Sequence, residues 1–293
     1  MEEKPESIYL EHAQRLGDEL LSAFDEVCRK VGVEYILFAG TLLGAVREGG
    51  WISWDDDIDV AMTRDQFEIF RADAPRLLPS NMRFSDTRSD RAHITSIPRV
   101  LHLDAQRVPF ARDRKLQPPE TVYLPLDIFV LDEAPPSAAR RKLWLKRIRL
   151  AEKMVVARNT SLRTALSDKG SSLGRRAIEG AAVLISRVAS PSAWRALHTR
   201  ESARHAGSRT GVLASSNDFK LSARHVPLPV AAIRPAAPIR FEGKDYLGPA
   251  DAQAVLALMY GPDFMTPPPP EHQKPFHFRN GLILSSGLRI IPD

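Results

Sequence analysis

Asp57 and Asp59 flank a single isoleucine in the stretch Asp57-Ile58-Asp59-Val60-Ala61-Met62. Polar and apolar residues alternate there as they do in a half-buried strand, and a period of two puts both carboxylates on one face. Two carboxylates on one strand suit Mg²⁺, which takes a few carboxylates and completes its shell with phosphate oxygens and water. Upstream, the apolar run Tyr35-Ile36-Leu37-Phe38-Ala39 reads as a strand and leads into Gly40-Thr41, a turn ahead of a helical stretch at 42–47. Such a turn leaves backbone N–H groups at a helix start, where a phosphate can sit. Downstream, Asp127 stands inside the strand-like run Leu126-Asp127-Ile128-Phe129. An acid is costly there unless it is paired or metal-bound. Together the three carboxylates have the makings of a metal site for phosphoryl chemistry.

Other readings of the acidic run compete with this one. Asp55, Asp56, Asp57 and Asp59 crowd four carboxylates into five residues, which repel unless cations or basic neighbours offset them. A solvated acidic loop accounts for Asp55 and Asp56 but not for the alternation from Asp57 onward. A calcium loop would use Asp55, Asp57 and Asp59 as its first ligands. It fails because Val60 stands where glycine is required and Gln66 where the closing glutamate is required. Neither a P-loop nor a Ser-His-Asp order is present.

The elements that must hold these residues are legible from periodicity. Leu16, Leu20, Leu21, Phe24 and Val27 predict a helix over 6–31, stopped by Gly32. A second helix is expected over 66–72, and strands at 82–85, 94–101 and 126–131. Trp144, Ile148, Ala151 and Val155 mark one face of a long basic helix over 138–160. A Ser-, Gly- and Arg-rich loop is expected at 161–176, then helices at 177–189, 192–206 and 251–260.

Composition narrows the class. The chain has 293 residues, 43% hydrophobic and 26% charged, which is the balance of a globular protein. A single cysteine, Cys28, excludes an internal disulfide framework and reads as a packed thiol. The acidic start MEEKPESIYL does not read as a secretory signal. The longest apolar stretch, near Ala181–Ile185, is far short of the roughly 20 residues that span a bilayer. The expectation is a cytoplasmic protein, at most peripheral to the inner membrane face. The net charge of +5 hides a division. Residues 138–209 hold 17 Lys+Arg against 4 Asp+Glu, a surplus of 13, so the rest of the chain carries −8. The basic segment has three readings: a contact with an anionic membrane, a holder of an anionic ligand, or a solvated cover.

The run Ala39-Gly40-Thr41-Leu42-Leu43-Gly44-Ala45-Val46-Arg47, followed by Trp51-Ile52 and Trp54-Asp55-Asp56-Asp57-Ile58-Asp59-Val60, resembles the central motif of the LicD family. That family includes bacterial phosphocholine transferases and is related to the fukutin-related ribitol-phosphate transferases. The resemblance continues at Leu124-Pro125-Leu126-Asp127-Ile128-Phe129. It returns at Phe241-Glu242-Gly243, Tyr246-Leu247, Leu258-Met259-Tyr260-Gly261 and Asp263-Phe264-Met265. Residues 135–225 lie outside it. Ser53 stands where the family often has proline.

The resemblance implies an α+β fold, with a nucleotidyltransferase-like mixed sheet flanked by helices and a basic helical insertion. The expected division is a catalytic core at 1–134, an insertion at 135–225 and a completing part at 226–293. It implies Asp57, Asp59 and Asp127 as metal ligands and catalytic residues, with Mg²⁺, or Mn²⁺, as the ion. Gly40 and Thr41 would receive donor phosphates. Arg47 would stabilise the transferred phosphoryl group, or else pair with Asp55 or Asp56 structurally. Trp54, like Trp51, would stack on a base or cage a quaternary ammonium, or simply pack. Lys274 and His277, after the proline run, are further candidate donor ligands. The implied partners are a CDP-alcohol donor and a hydroxyl acceptor, a glycan foremost, with peripheral membrane contact open and nucleic acid disfavoured. Two other readings stay open: transfer of a nucleoside monophosphate from a nucleoside triphosphate, which would use the same carboxylates, and a non-catalytic membrane or nucleic-acid binder working through the basic segment, which leaves the Gly-Thr and Asp arrangement unexplained.

Overall fold

The computed structural model describes residues 5–90, 97–108, 123–167, 172–215, 226–275 and 281–290. The expected long helix is present as α1 (Pro5–Val31). Its apolar stripe, from Leu16 through Leu20, Leu21 and Phe24 to Val27, is buried against the sheet. Gly32 ends it at φ +75, a left-handed conformation that glycine adopts without steric cost, and its N–H returns to the Cys28 carbonyl at 2.9 Å. Cys28 is a buried free thiol, and burial raises its pKa.

The architecture is α+β. Short β1 (Ile36–Leu37) runs into α2 (Ala39–Arg47), then β2 (Ile58–Thr63), α3 (Arg64–Asp73) and β3 (Met82–Ser85). Long β4 (Arg99–Arg107) and β5 (Tyr123–Glu133) follow. In the mixed sheet the order is β1-β2-β5-β4, with β3 paired to β4. The β2–β5 pair is parallel and sets Asp59 opposite Asp127, and β4–β5 is antiparallel and sets Arg99 opposite Asp127. All six residues of β2 are buried, which is what a strand covered on both faces requires.

Basic helices follow: α4 (Ala138–Arg158), α5 (Leu162–Ser167), α6 (Leu173–Ser186) and α7 (Pro191–Ser202). The loop expected at 161–176 therefore contains all of α5 and the start of α6. The Ser161 hydroxyl accepts the Thr164 N–H, and Leu166 lies on Gly180 so closely that a Cβ there would meet it at 2.9 Å. Tertiary packing thus stabilises a helix too short to stand alone. α7 buries His198 beside Arg64. Desolvation first, and the Arg64 charge second, bring its pKa down to about 4.

The chain re-enters the main sheet at β6 (Val212–Ser215), on the edge of β5, and continues through β7 (Leu228–Pro229) and the short α8 (Val230–Ile233). A hairpin, β8 (Ala237–Phe241) and β9 (Lys244–Gly248), precedes α9 (Ala252–Tyr260). Short strands β10 (Leu282–Leu284) and β11 (Arg289–Ile290) add to the sheet beyond β4. No helix among the described residues is long and apolar enough to cross a membrane.

Candidate active site

Asp59 is held by its backbone before its side chain enters the argument. Its carbonyl accepts the Phe38 N–H at 3.0 Å, and its N–H donates to the Thr41 hydroxyl at 2.8 Å. The β1–α2 connection is thereby fixed onto β2. Gly40 and Thr41 are not a turn ahead of the helix, as the sequence suggested. The helix begins at Ala39, so both lie in its first turn. Ala39 enters at φ +43, a left-handed conformation that is uncommon for a residue with a Cβ and that recurs at functional sites. The Gly40 N–H serves the Asp59 carboxylate, so this first-turn donor is already used within the chain.

The carboxylates converge across three neighbouring segments. Asp57, Asp59 and Asp127 are all buried. Register places Asp59 and Asp127 side by side, and Asp57, just ahead of β2, brings its charge close to Asp59. Burial raises the Asp59 pKa well above the usual carboxylate range. The charges of Asp57, Asp127 and Asp55 raise it further, against the smaller opposing effect of the Gly40 N–H. Carboxylate oxygens of Asp55, Asp56 and Asp57 lie within 4.8 Å of one another. Asp127 has a counter-charge: the Arg99 Nε donates to its Oδ1 at 2.7 Å. A cluster of hard oxygen donors with this much mutual repulsion has the chemistry of a Mg²⁺ or Mn²⁺ site.

The acidic segment is clamped from three sides. The Asp55 carbonyl accepts the Gln14 side chain at 2.9 Å, and its carboxylate lies so close to Gly40 that a Cβ there would meet Oδ2 at 2.5 Å. Trp51 donates its indole N–H to Asp18 at 2.9 Å, packs its ring at a tilt against Phe241 with centroids 5.7 Å apart and covers Gly17. These contacts make Trp51 a packing residue. Its backbone N–H donates to Glu242 at 2.9 Å, while the Glu242 N–H returns to the Gly49 carbonyl at 3.1 Å. Glu242 and Gly243 both have positive φ, which suits a two-residue hairpin turn. A glutamate in that conformation is strained, and its two hydrogen bonds to the Gly49–Trp51 turn hold it there.

Arg47 does not take the structural partner expected for it. It bonds Glu48 at 2.8 Å, rather than Asp55 or Asp56, and reaches the Phe264 carbonyl at 3.5 Å. Its guanidinium lies 5.8 Å from the centre of the Trp54 ring, a cation–π contact. Only 6% of the side chain is exposed, and one terminal nitrogen, Nη2, has no hydrogen-bond partner. Lys274 is exposed, and no described hydrogen bond or ion pair joins it to the carboxylates. His277 lies outside the described residues.

Sequence reasoning passed over four residues that the fold brings to this site. Arg99 opens β4 just ahead of the apolar pair Val100-Leu101, a weak local signal. Glu242 lay within a quoted motif without a role. Gln14 and Asp18 are polar positions on α1 and carry no local signal.

The fold and the site define an α+β protein with a cluster of buried carboxylates beside its central parallel strand pair. Residues 32–115 match the family model described as "LicD/FKTN/FKRP, nucleotidyltransferase domain". Over 51 residues it is 47% identical to the lipopolysaccharide cholinephosphotransferase LicD of Haemophilus influenzae, a match covering 17% of this chain and 19% of that protein. The chain thus spans about a fifth of the length of the curated relative it matches.

Proposed function

We propose that the chain is a metal-dependent phosphotransferase that moves a phosphorylated alcohol of the phosphocholine type from a CDP-activated donor to a hydroxyl of a glycan or small-molecule acceptor. The observation that carries this reading is the register of Asp59 against Asp127, with the Asp57 charge close to Asp59 and Thr41 fixing the strand. The Haemophilus influenzae relative is a lipopolysaccharide cholinephosphotransferase, which supports the choice of phosphocholine and a glycan acceptor.

Asp57, Asp59 and Asp127 would hold Mg²⁺, or Mn²⁺, beside Asp55 and Asp56. The bound ion would neutralise charge on the donor phosphates. Arg99 orients Asp127 through Oδ1. Asp127 takes the proton of the acceptor hydroxyl as its oxygen forms a bond to the distal phosphorus. The bond from that phosphorus to the bridging oxygen breaks, and CMP leaves with the bridging oxygen. Arg47, with Nη2 unpartnered beside Trp54, offers donors to the phosphoryl oxygens. The remaining first-turn N–H groups of α2 and its positive dipole end favour the same anion.

The test is product analysis of the purified chain with CDP-choline, acceptor glycan and Mg²⁺. CMP release with a phosphocholine-bearing acceptor supports the proposal. Pyrophosphate and a nucleotidylated product from a nucleoside triphosphate would replace it with nucleotidyl transfer.

A further inference from the structure

Helix α6 is apolar on the side that the protein does not cover. Its buried positions are Gly180, Ala182, Val183 and Ser186. Leu173, Ile178, Leu184 and Ile185 are all exposed, Leu173 at 81%. At about 100° per residue they share a sector of roughly 140°, opposite the buried face. Only small residues lie between them, and Val188, 78% exposed just past the helix end, continues the stripe. Such a contiguous exposed aliphatic face marks an interaction site.

Two observations indicate what covers it. The first is charge. The stripe belongs to the segment with 17 basic and 4 acidic residues. Glu179 is paired to Arg175 at 3.0 Å, and Glu201 to Arg204 at 2.9 Å. Little negative charge is left to repel an anionic surface. The second is chemistry. The exposed large apolar residues of the segment are all Leu, Ile or Val. Both tryptophans turn inward: Trp144 donates to the Glu201 carbonyl at 2.8 Å, and Trp194 to the Ser186 carbonyl at 2.9 Å. Protein interfaces rely on aromatic anchors, which this face does not present. An aliphatic stripe bordered by arginines matches an acyl boundary under anionic headgroups.

We infer that α6 docks the protein on an anionic lipid bilayer, with Leu173, Ile178, Leu184, Ile185 and Val188 entering the acyl boundary and Arg175 and Arg187 meeting the headgroups. The inference is independent of the transfer reaction, because docking is read without turnover.

The experiment is flotation of the full chain with vesicles of phosphatidylcholine alone or mixed with phosphatidylglycerol. The protein is expected to float with the mixed vesicles and at least about tenfold less with the neutral ones. Leu184→Gln with Ile185→Gln, and separately Arg175→Glu with Arg187→Glu, should each reduce flotation by at least about tenfold. All these side chains are exposed, so circular dichroism and melting should match the parent protein. Failure of the parent protein to float with mixed vesicles would overturn the inference, as would variants that float normally. So would a fall in sedimentation coefficient in the apolar variant with flotation unchanged, which would assign the stripe to a second copy of the chain.

Discussion

The acidic site and the basic helices solve opposite problems with charge. Around Asp59, like charges are buried together and held by ties from distant parts of the sequence: Thr41, Arg99, Gln14 and Glu242. Across α4 to α6, most charges face solvent, and their ion pairs are local, as in Arg175 with Glu179. Buried charges must be positioned, and the positioning concentrates sensitivity in a few residues. Exposed charges act through their sum, so single changes there alter stability little.

This contrast can be tested by substitution. The largest effect is expected at the carboxylates. Asp57→Asn and Asp59→Asn should each lower turnover by about a thousandfold or more. Asp59→Asn should also raise the melting temperature in metal-free buffer, because it removes a buried charge from like-charged neighbours. A variant that melts lower and keeps its turnover would break the contrast.

Gly44→Ala comes next. Its Cβ would stand 2.4 Å from the Gly50 carbonyl oxygen, and backbone lies on both sides of the contact. A loss of about 2–3 kcal/mol is expected in urea denaturation. His198 gives an effect of similar size with a sign fixed by linkage. The unfolded chain takes up a proton as pH falls through about 6.5, whereas the folded chain waits until about 4. Stability therefore falls as pH drops across that window, by about 3 kcal/mol in all, and is unaffected above it. His198→Gln should remove this slope from denaturation curves taken across the window.

Glu242→Ala removes the acceptor of the Trp51 N–H and should lose about 1–2 kcal/mol. Smallest of all, Arg163→Gln on exposed α5 should shift stability by no more than about 0.5 kcal/mol. A larger shift there would mean that the basic segment is as tightly constrained as the site.

Much of the core was legible because its signals are local. The stripe from Leu16 to Val27 gave α1, and the alternation through Asp57 and Asp59 gave β2. The sequence also pointed to Asp127 as a third acid, since its apolar neighbours made a solvated position implausible. What it could not express was register. That Arg99 faces Asp127 follows from pairing strands, and no spacing encodes it. Backbone exceptions were equally hidden: Ala39 and Glu242 adopt positive φ that tertiary contacts impose. The start of α2 was misread because it depends on such contacts, and the pairing of Arg47 with Glu48, outside both readings open for it, depends on them too. Helix α5 escaped notice because its six residues have too few turns for a periodic signal.

The clamp between Glu242 and the Gly49–Trp51 turn also bears on biosynthesis. The acidic run leaves the ribosome long before Glu242 is made, and the Trp51 N–H has no Glu242 acceptor until then. A chain interrupted before the β8–β9 hairpin would carry every aspartate of the site without the hairpin that fixes their loop. Contacts separated by 191 residues form late in folding. The acidic loop therefore gains this tie only after the β8–β9 hairpin has been translated.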